Sequence, residues 1–390
     1  MKAVRFNNDL DREFFATLTA RVDGYFRATG KRRFANGAMW AKAGFFFFAY
    51  WVCWSTIVFG GVSATVALGL ALLMGFFGTC NALNISHDAS HFTFAKEKWK
   101  SSALFWLSLN QLGLYAHFWD LGHNKSHHYR TNIAHEDVAV DGGGALRFHT
   151  SAEWRPMHRF QHLYAFPLYS VYTMLWAIVR DWRVLFKGVI SEAVPVRLSP
   201  LRIAELAFVK LAYFSYVLVI PMLYSPFTWR QVLVGFVAMH VVLSLYVAFT
   251  LFSSHLCEEV GFFDVSEESK IEHSFVRHQF LTTCDFYPDS RIANFFLGGF
   301  NSHVIHHLFP KISSVHYPAL ASILGTTAAE YKMPYVKSTL PRLFVSHLRF
   351  LKRMGEAPRA RVSKSRNEKV PTRLRAGTSH KISRSKKRAS

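Results

Sequence analysis

The sequence predicts an all-α integral membrane protein: four transmembrane helices, additional interfacial helices, and a histidine-rich cap on one membrane face. Three observations lead there. Of 390 residues, 51% are hydrophobic and 37 are Phe, yet the net charge is +21. The apolar residues are gathered into long uncharged runs. Eight histidines form three tight clusters that adjoin those runs: His87-Asp-Ala-Ser-His91, His123-Asn-Lys-Ser-His127-His128 and His303-Val-Ile-His306-His307.

Residues 1–42 are mixed in charge and do not read as a cleaved leader, because the first apolar run begins too far along the chain. Phe14, Phe15, Leu18, Val22 and Phe26 recur at helical spacing. They predict an amphipathic helix, lying on the membrane surface or packed as an ordinary soluble helix. Between Ala43 and Ser86 there is no charged residue. A bilayer core of about 30 Å needs roughly 20 helical residues. The run therefore predicts two spans, about 43–60 and 62–84, turning at Gly60-Gly61. A second pair, about 206–224 and 231–254, is divided near Ser225-Pro226 and Arg230. Residues 43–355 thus form the membrane domain.

The tail, residues 356–390, carries twelve Lys and Arg against two Glu and no Phe, Trp or Tyr. It cannot form a core and reads as disordered. A basic segment beside a membrane favours anionic headgroups over nucleic acid and holds its side cytoplasmic. Four cysteines, Cys53, Cys80, Cys257 and Cys284, lack any CxxC pair, which argues against a disulfide framework or a zinc or iron–sulfur module.

Imidazole is the commonest transition-metal ligand. Residues four apart on a helix share a face, so His87 with His91 and His123 with His127 are each expected to converge. His303 likewise reaches His306 and His307. A catalytic zinc takes about three protein ligands, so eight histidines point to two metals. One shared site needs all three clusters on one face, hence an even number of crossings between His128 and His303. Of the apolar stretches there, 163–179 is the shortest, contains Pro167, and has Tyr164, Tyr169 and Tyr172 as interfacial anchors. It is predicted to lie in the interface, and 103–119 to dip in and return. The N-terminus, the clusters and the C-terminus are then all cytoplasmic.

These motifs resemble the three histidine boxes of the membrane fatty acid desaturase family in type, order and separation. The likeness extends to Trp119, His128-Tyr-Arg-Thr-Asn132, Arg159-Phe-Gln-His-Leu-Tyr164, the block from His278-Gln279 to Phe286, and Leu297-Gly-Gly-Phe-Asn301 leading into the third box. It covers roughly residues 5–350 and is closest to the bacterial front-end, acyl-lipid branch, implying a bacterial inner membrane. The chain departs from that branch at His303, where Gln is usual.

The resemblance implies two iron ions held by His87, His91, His123, His127, His128, His303, His306 and His307, with His255 as a ninth ligand. It implies a fatty acyl lipid or acyl-CoA substrate, O2 and two electrons. No His-Pro-Gly-Gly haem motif is present, so a separate ferredoxin, rubredoxin or cytochrome is expected as donor. Asp88, Asn124, Asp137 and Asn301 are candidates to fix imidazole tautomers. His135, His162, His273 and His278 are not expected to be ligands, and His117 and His240 are unassigned. Acyl hydroxylation by the same centre is the alternative outcome, and a non-catalytic metal-binding receptor the remote one.

Overall fold

The computed structural model describes residues 4–191, 194–265 and 269–358. The predicted basic tail lies, from residue 359 onward, outside the described residues. Among the described residues, four helices are long and apolar enough to cross a membrane: α2 (Gly37–Phe59), α3 (Ala64–Ser90), α7 (Pro200–Tyr224) and α8 (Trp229–His255). Helices α2, α3 and α7 each start or end several residues beyond the apolar run, and α8 nearly matches it, because polar caps and not hydropathy set helix ends. Asn36 Oδ1 accepts the Met39 N–H at 2.9 Å, and Ser199 caps α7. Thr228 and Gln231 form a capping box at α8. The turn between α2 and α3 falls at Gly60-Gly61 as expected, with Gly61 at φ +60°.

Glycines let α3 and α8 approach closely. A Cβ on Gly75 would sit 2.3 Å from the Met239 carbonyl oxygen, so only hydrogen fits there. The pairing continues in parallel at Thr79 and Leu243, and the helices run on toward His87 on α3 and His255 on α8. The stretch between the first two clusters dips and returns as α4 (Lys98–Asn110) and α5 (116–130). The loop between them is pinned from α7, whose buried Lys210 contacts the Gly113 carbonyl at 2.7 Å and Asp181 at 2.6 Å. Segment α6 (161–187) is an interrupted helix with Pro167 inside and a π-helical turn at Trp176–Arg180. It leans on α8 through Thr173, which bonds Ser244 and His240.

The cap completes the architecture. Helix α1 (Arg12–Thr29) turns Phe14, Leu18, Val22 and Phe26 inward, onto Phe280, Val304, Ile305, Leu308, Leu320 and Leu324. Its apolar face is thus covered by protein, as in the second of the two readings of its periodicity, and not by the membrane surface. The remaining cap helices are α9 (Phe275–Thr282), α10 (Arg291–Leu297), α11 (His303–Leu308), α12 (Tyr317–Glu330) and α13 (Leu340–Gly355). Two-residue strands stitch distant segments together, among them Asp285–Phe286, which pairs in parallel with Lys337–Ser338. Two spans, α7 and α8, separate His128 from His303, the even number that a single shared site demands.

Candidate metal centre

All nine predicted histidines gather where α3, α5, α8 and α11 meet. They form two groups within which the donor nitrogens lie within 4.8 Å of one another. The first group is His87, His91, His123, His128 and His306, and the second is His127, His255, His303 and His307. His87 and His91 share a group, as four-residue spacing requires. The expected pairing of His123 with His127 does not occur, and His306 parts from His303.

Local backbone explains the first departure. Residues Leu121–His127 form a π-helical turn, in which i→i+5 bonding replaces i→i+4. Five-residue spacing, not four, then returns a side chain to the same face. His123 meets His128, with Nε2 atoms 3.1 Å apart, while His127 is rotated into the other group. A second π turn at Ala82–Ser86 immediately precedes His87. On α11 the helix is ordinary: His303 and His307 align at four residues, and the adjacent His306 points to the first group.

Contacts within the first group are short. His91 Nε2 lies 3.3 Å from His123 Nε2, and His306 Nε2 lies 3.0 Å from His128 Nε2. In the second group, ring centroids of His127 and His255 are 4.7 Å apart, and those of His303 and His307 4.8 Å. Burial, reinforced by neighbouring imidazoles, holds His123, His128, His303, His306 and His307 well below the usual imidazole pKa. The rings are therefore neutral near pH 7, the form that binds metal.

The donor set fits a metal on two counts. Imidazole suits iron and its neighbours in the first transition row. Moreover, both nitrogens of His87, Nε2 of His255 and His307, and Nδ1 of His128 and His303 are buried with no hydrogen-bond partner. Leaving such groups bare costs about 1–3 kcal/mol each, a penalty that coordination removes at one nitrogen of each ring.

Partners on the far nitrogens fix several rings. His127 Nδ1 meets Asp137 Oδ2 at 3.0 Å, and that carboxylate also accepts N–H groups from Asn132 and Ala139. Burial alone would raise the Asp137 pKa, but His127 and these bonds bring it below the ordinary carboxylate value. His255 Nδ1 donates to the Thr282 carbonyl at 3.0 Å. His306 Nδ1 meets the Tyr317 hydroxyl at 3.0 Å, and Trp119 stacks on His123 with centroids 4.3 Å apart.

Asp137 is thus the one of the four tautomer candidates that contacts an imidazole. Asp88 Oδ2 accepts from Ser313 and Ser314, while its Oδ1 stays 3.9 Å from His87. Asn124 bonds Asp120 and the Ser90 carbonyl, and Asn301 bonds the Tyr287 carbonyl. All three brace backbone near the clusters instead. Tyr317 and the Thr282 carbonyl were not expected, and no spacing rule links them to the ligands. Asp285, which accepts the Val304 N–H at 2.9 Å and the Tyr335 hydroxyl at 2.6 Å, anchors the start of α11. His278 stays outside both groups, bonding the Thr131 carbonyl and His273. His240 joins Tyr213 and Thr173.

The profile of the family described as Fatty acid desaturase matches residues 63–339. The chain is 29% identical over 359 residues to the sn-1 linoleoyl-lipid 6-desaturase of Synechocystis, covering 92% of this chain and 99% of that protein. It is 28% identical to the protein of the same description from Arthrospira platensis, covering 92% and 94%. It is also 28% identical to the acyl-lipid (8-3)-desaturase of Physcomitrium patens, covering 88% of this chain and 72% of that one.

Proposed function

The chain belongs to the fatty acid desaturase family, and from that premise we propose a two-iron acyl-lipid desaturase whose metals are divided as the histidines are. It is a membrane oxidoreductase that introduces a double bond into a fatty acyl chain, using O2 and an external electron donor. His87, His91, His123, His128 and His306 hold one iron; His127, His255, His303 and His307 hold the other. The observation that carries this reading is the separation of nine buried or partly buried imidazoles into two groups of donor nitrogens.

When bound, the iron pair supplies an oxidant able to take hydrogen from an unactivated methylene pair, which no side-chain base can deprotonate. The balance is one alkene and two waters from one saturated bond, O2, two electrons and two protons. The protein positions and insulates this chemistry. Asp137 holds His127 with its proton on Nδ1, leaving Nε2 to coordinate, and Tyr317 braces His306. The Thr282 carbonyl does the same for His255. Burial of all nine rings except the partly buried His91 and His123 keeps bulk water from the centre.

Acyl groups esterified in membrane lipids are the proposed substrates, because the chain runs nearly the full length of relatives named for acyl-lipid and linoleoyl-lipid desaturation. The cap, both termini and the clusters face the cytoplasm of a bacterial inner membrane in this reading. The donor is a separate ferredoxin, rubredoxin or cytochrome-type protein, and an acidic carrier would be drawn to the net charge of +21. The test is expression in a host that makes no polyunsaturated lipids, with linoleate supplied. Mass spectrometry of intact lipids should show a new double bond within glycerolipid acyl chains, and metal analysis two irons per chain. New double bonds confined to acyl-CoA would reject the lipid substrate, and hydroxylated products would reject desaturation itself.

A further inference from the structure

At the end of the spans remote from the histidines, α2, α3, α7 and α8 diverge around a cavity of about 380 Å³. Small residues open it: Ala64, Ala67, Ala71 and Gly235 line one side, where larger side chains would fill the gap. Its floor is Met74, Phe236 and Met239, and Trp54 and Val217 form further wall. Met74 precedes His87 by thirteen residues on α3, so the floor lies about 20 Å from the metal ligands. A hydrogen-bonded layer intervenes: Tyr50 with Tyr216 at 2.8 Å, Tyr50 with the Met239 sulfur at 3.8 Å, and Tyr213 with His240 at 2.6 Å. The cavity is therefore separate from the catalytic chemistry.

Its rim carries one formal charge. Arg230 lines the cavity, exposed and resting over Trp229, and no lining residue is acidic. The amino termini of α3 and α8 lie at the same end, adding positive potential. An apolar chamber of this size with a cationic lip matches one occupant, an amphiphile with an aliphatic tail and an anionic head. We propose that the cavity is a binding site for an anionic glycerophospholipid of the leaflet facing away from the histidines. One acyl chain fills the space between α3, α7 and α8, and the phosphate rests on Arg230.

The test uses the full chain purified in mild detergent, with phosphatidylglycerol or phosphatidylcholine added. Native mass spectrometry and the thermal midpoint are read together. One phosphatidylglycerol per chain should be retained in preference to phosphatidylcholine and should raise the midpoint. Ala71→Phe, which fills the chamber, should weaken retention of both lipids by about tenfold or more. Arg230→Gln should keep a lipid bound but lose the preference for the anionic one. Both variants should keep the parent's product profile. If Ala71→Phe does not fold, Ala67→Leu fills the same space more gently. Equal retention of the two lipids by the parent, unchanged retention in Ala71→Phe, or an unchanged preference in Arg230→Gln overturns the proposal. So does a shift in double-bond position or product chain length on filling, which would make the space part of the substrate's own path.

Discussion

Of the nine proposed ligands, His91, His127 and His306 each come from a different cluster, which makes them the sharpest residue-scale probes. Replacing any one with Ala should abolish desaturation while membrane insertion, read by protease accessibility or detergent-stable folding, persists. Full activity in any of the three would contradict a shared site. Asp137→Asn is a milder test. It preserves shape but removes the charge that orients His127, so iron affinity or activity should fall about 10- to 100-fold, the usual loss for a partner of a metal ligand. Tautomer partners were poorly legible in the sequence. Asp88, Asn124 and Asn301 sit one or two residues from a box histidine, but neighbours in sequence on a helix point to different faces. Asp137 lies ten residues from His127 and reaches it only because the chain folds back.

At the scale of elements, the sequence displayed the spans well and the cap poorly. Four apolar runs are unmistakable against a bilayer's length requirement, but the helix ends lie at polar residues such as Asn36, Ser199 and Thr228. The periodicity of α1 declared an apolar face without saying what covers it; α12 and the third cluster do. The π turn at Leu121–His127 has no compositional mark, so an α-helical reading grouped His123 with His127. This element makes its own prediction. Deleting Lys125, which is exposed, should convert the turn to ordinary α-helix and leave His128, then four positions from His123, on the same face as before. Iron binding should therefore survive the deletion with the spans still folded; loss of iron from a folded deletion variant would refute this account of the turn.

For the whole molecule, a buried set of neutral imidazoles makes the metal-free protein sensitive to acid. His123, His128, His303, His306 and His307 are held well below their unfolded pKa by burial first and by one another second. A depressed folded pKa contributes stability above the unfolded value, near 6.5, that is lost as pH falls toward the folded values. The thermal midpoint of metal-free protein should therefore be level above about pH 7 and decline progressively toward pH 5. A midpoint that rises over that interval would show the rings already charged at neutrality. Iron binds only the deprotonated rings, so loaded protein should hold its midpoint to lower pH than metal-free protein.

Two pairs of consecutive residues, His127 with His128 and His306 with His307, each send one ring to either metal group. Neither group can be ordered without stiffening the turn that presents its neighbour. The first ion to arrive thus meets the entropic cost of fixing both turns, and the second finds them already set. Occupancy should accordingly be all or none: a titration with ferrous iron would pass from empty to doubly loaded chains, with the singly loaded form scarce throughout. In this respect the paired histidines would act as a latch between two groups that share no histidine.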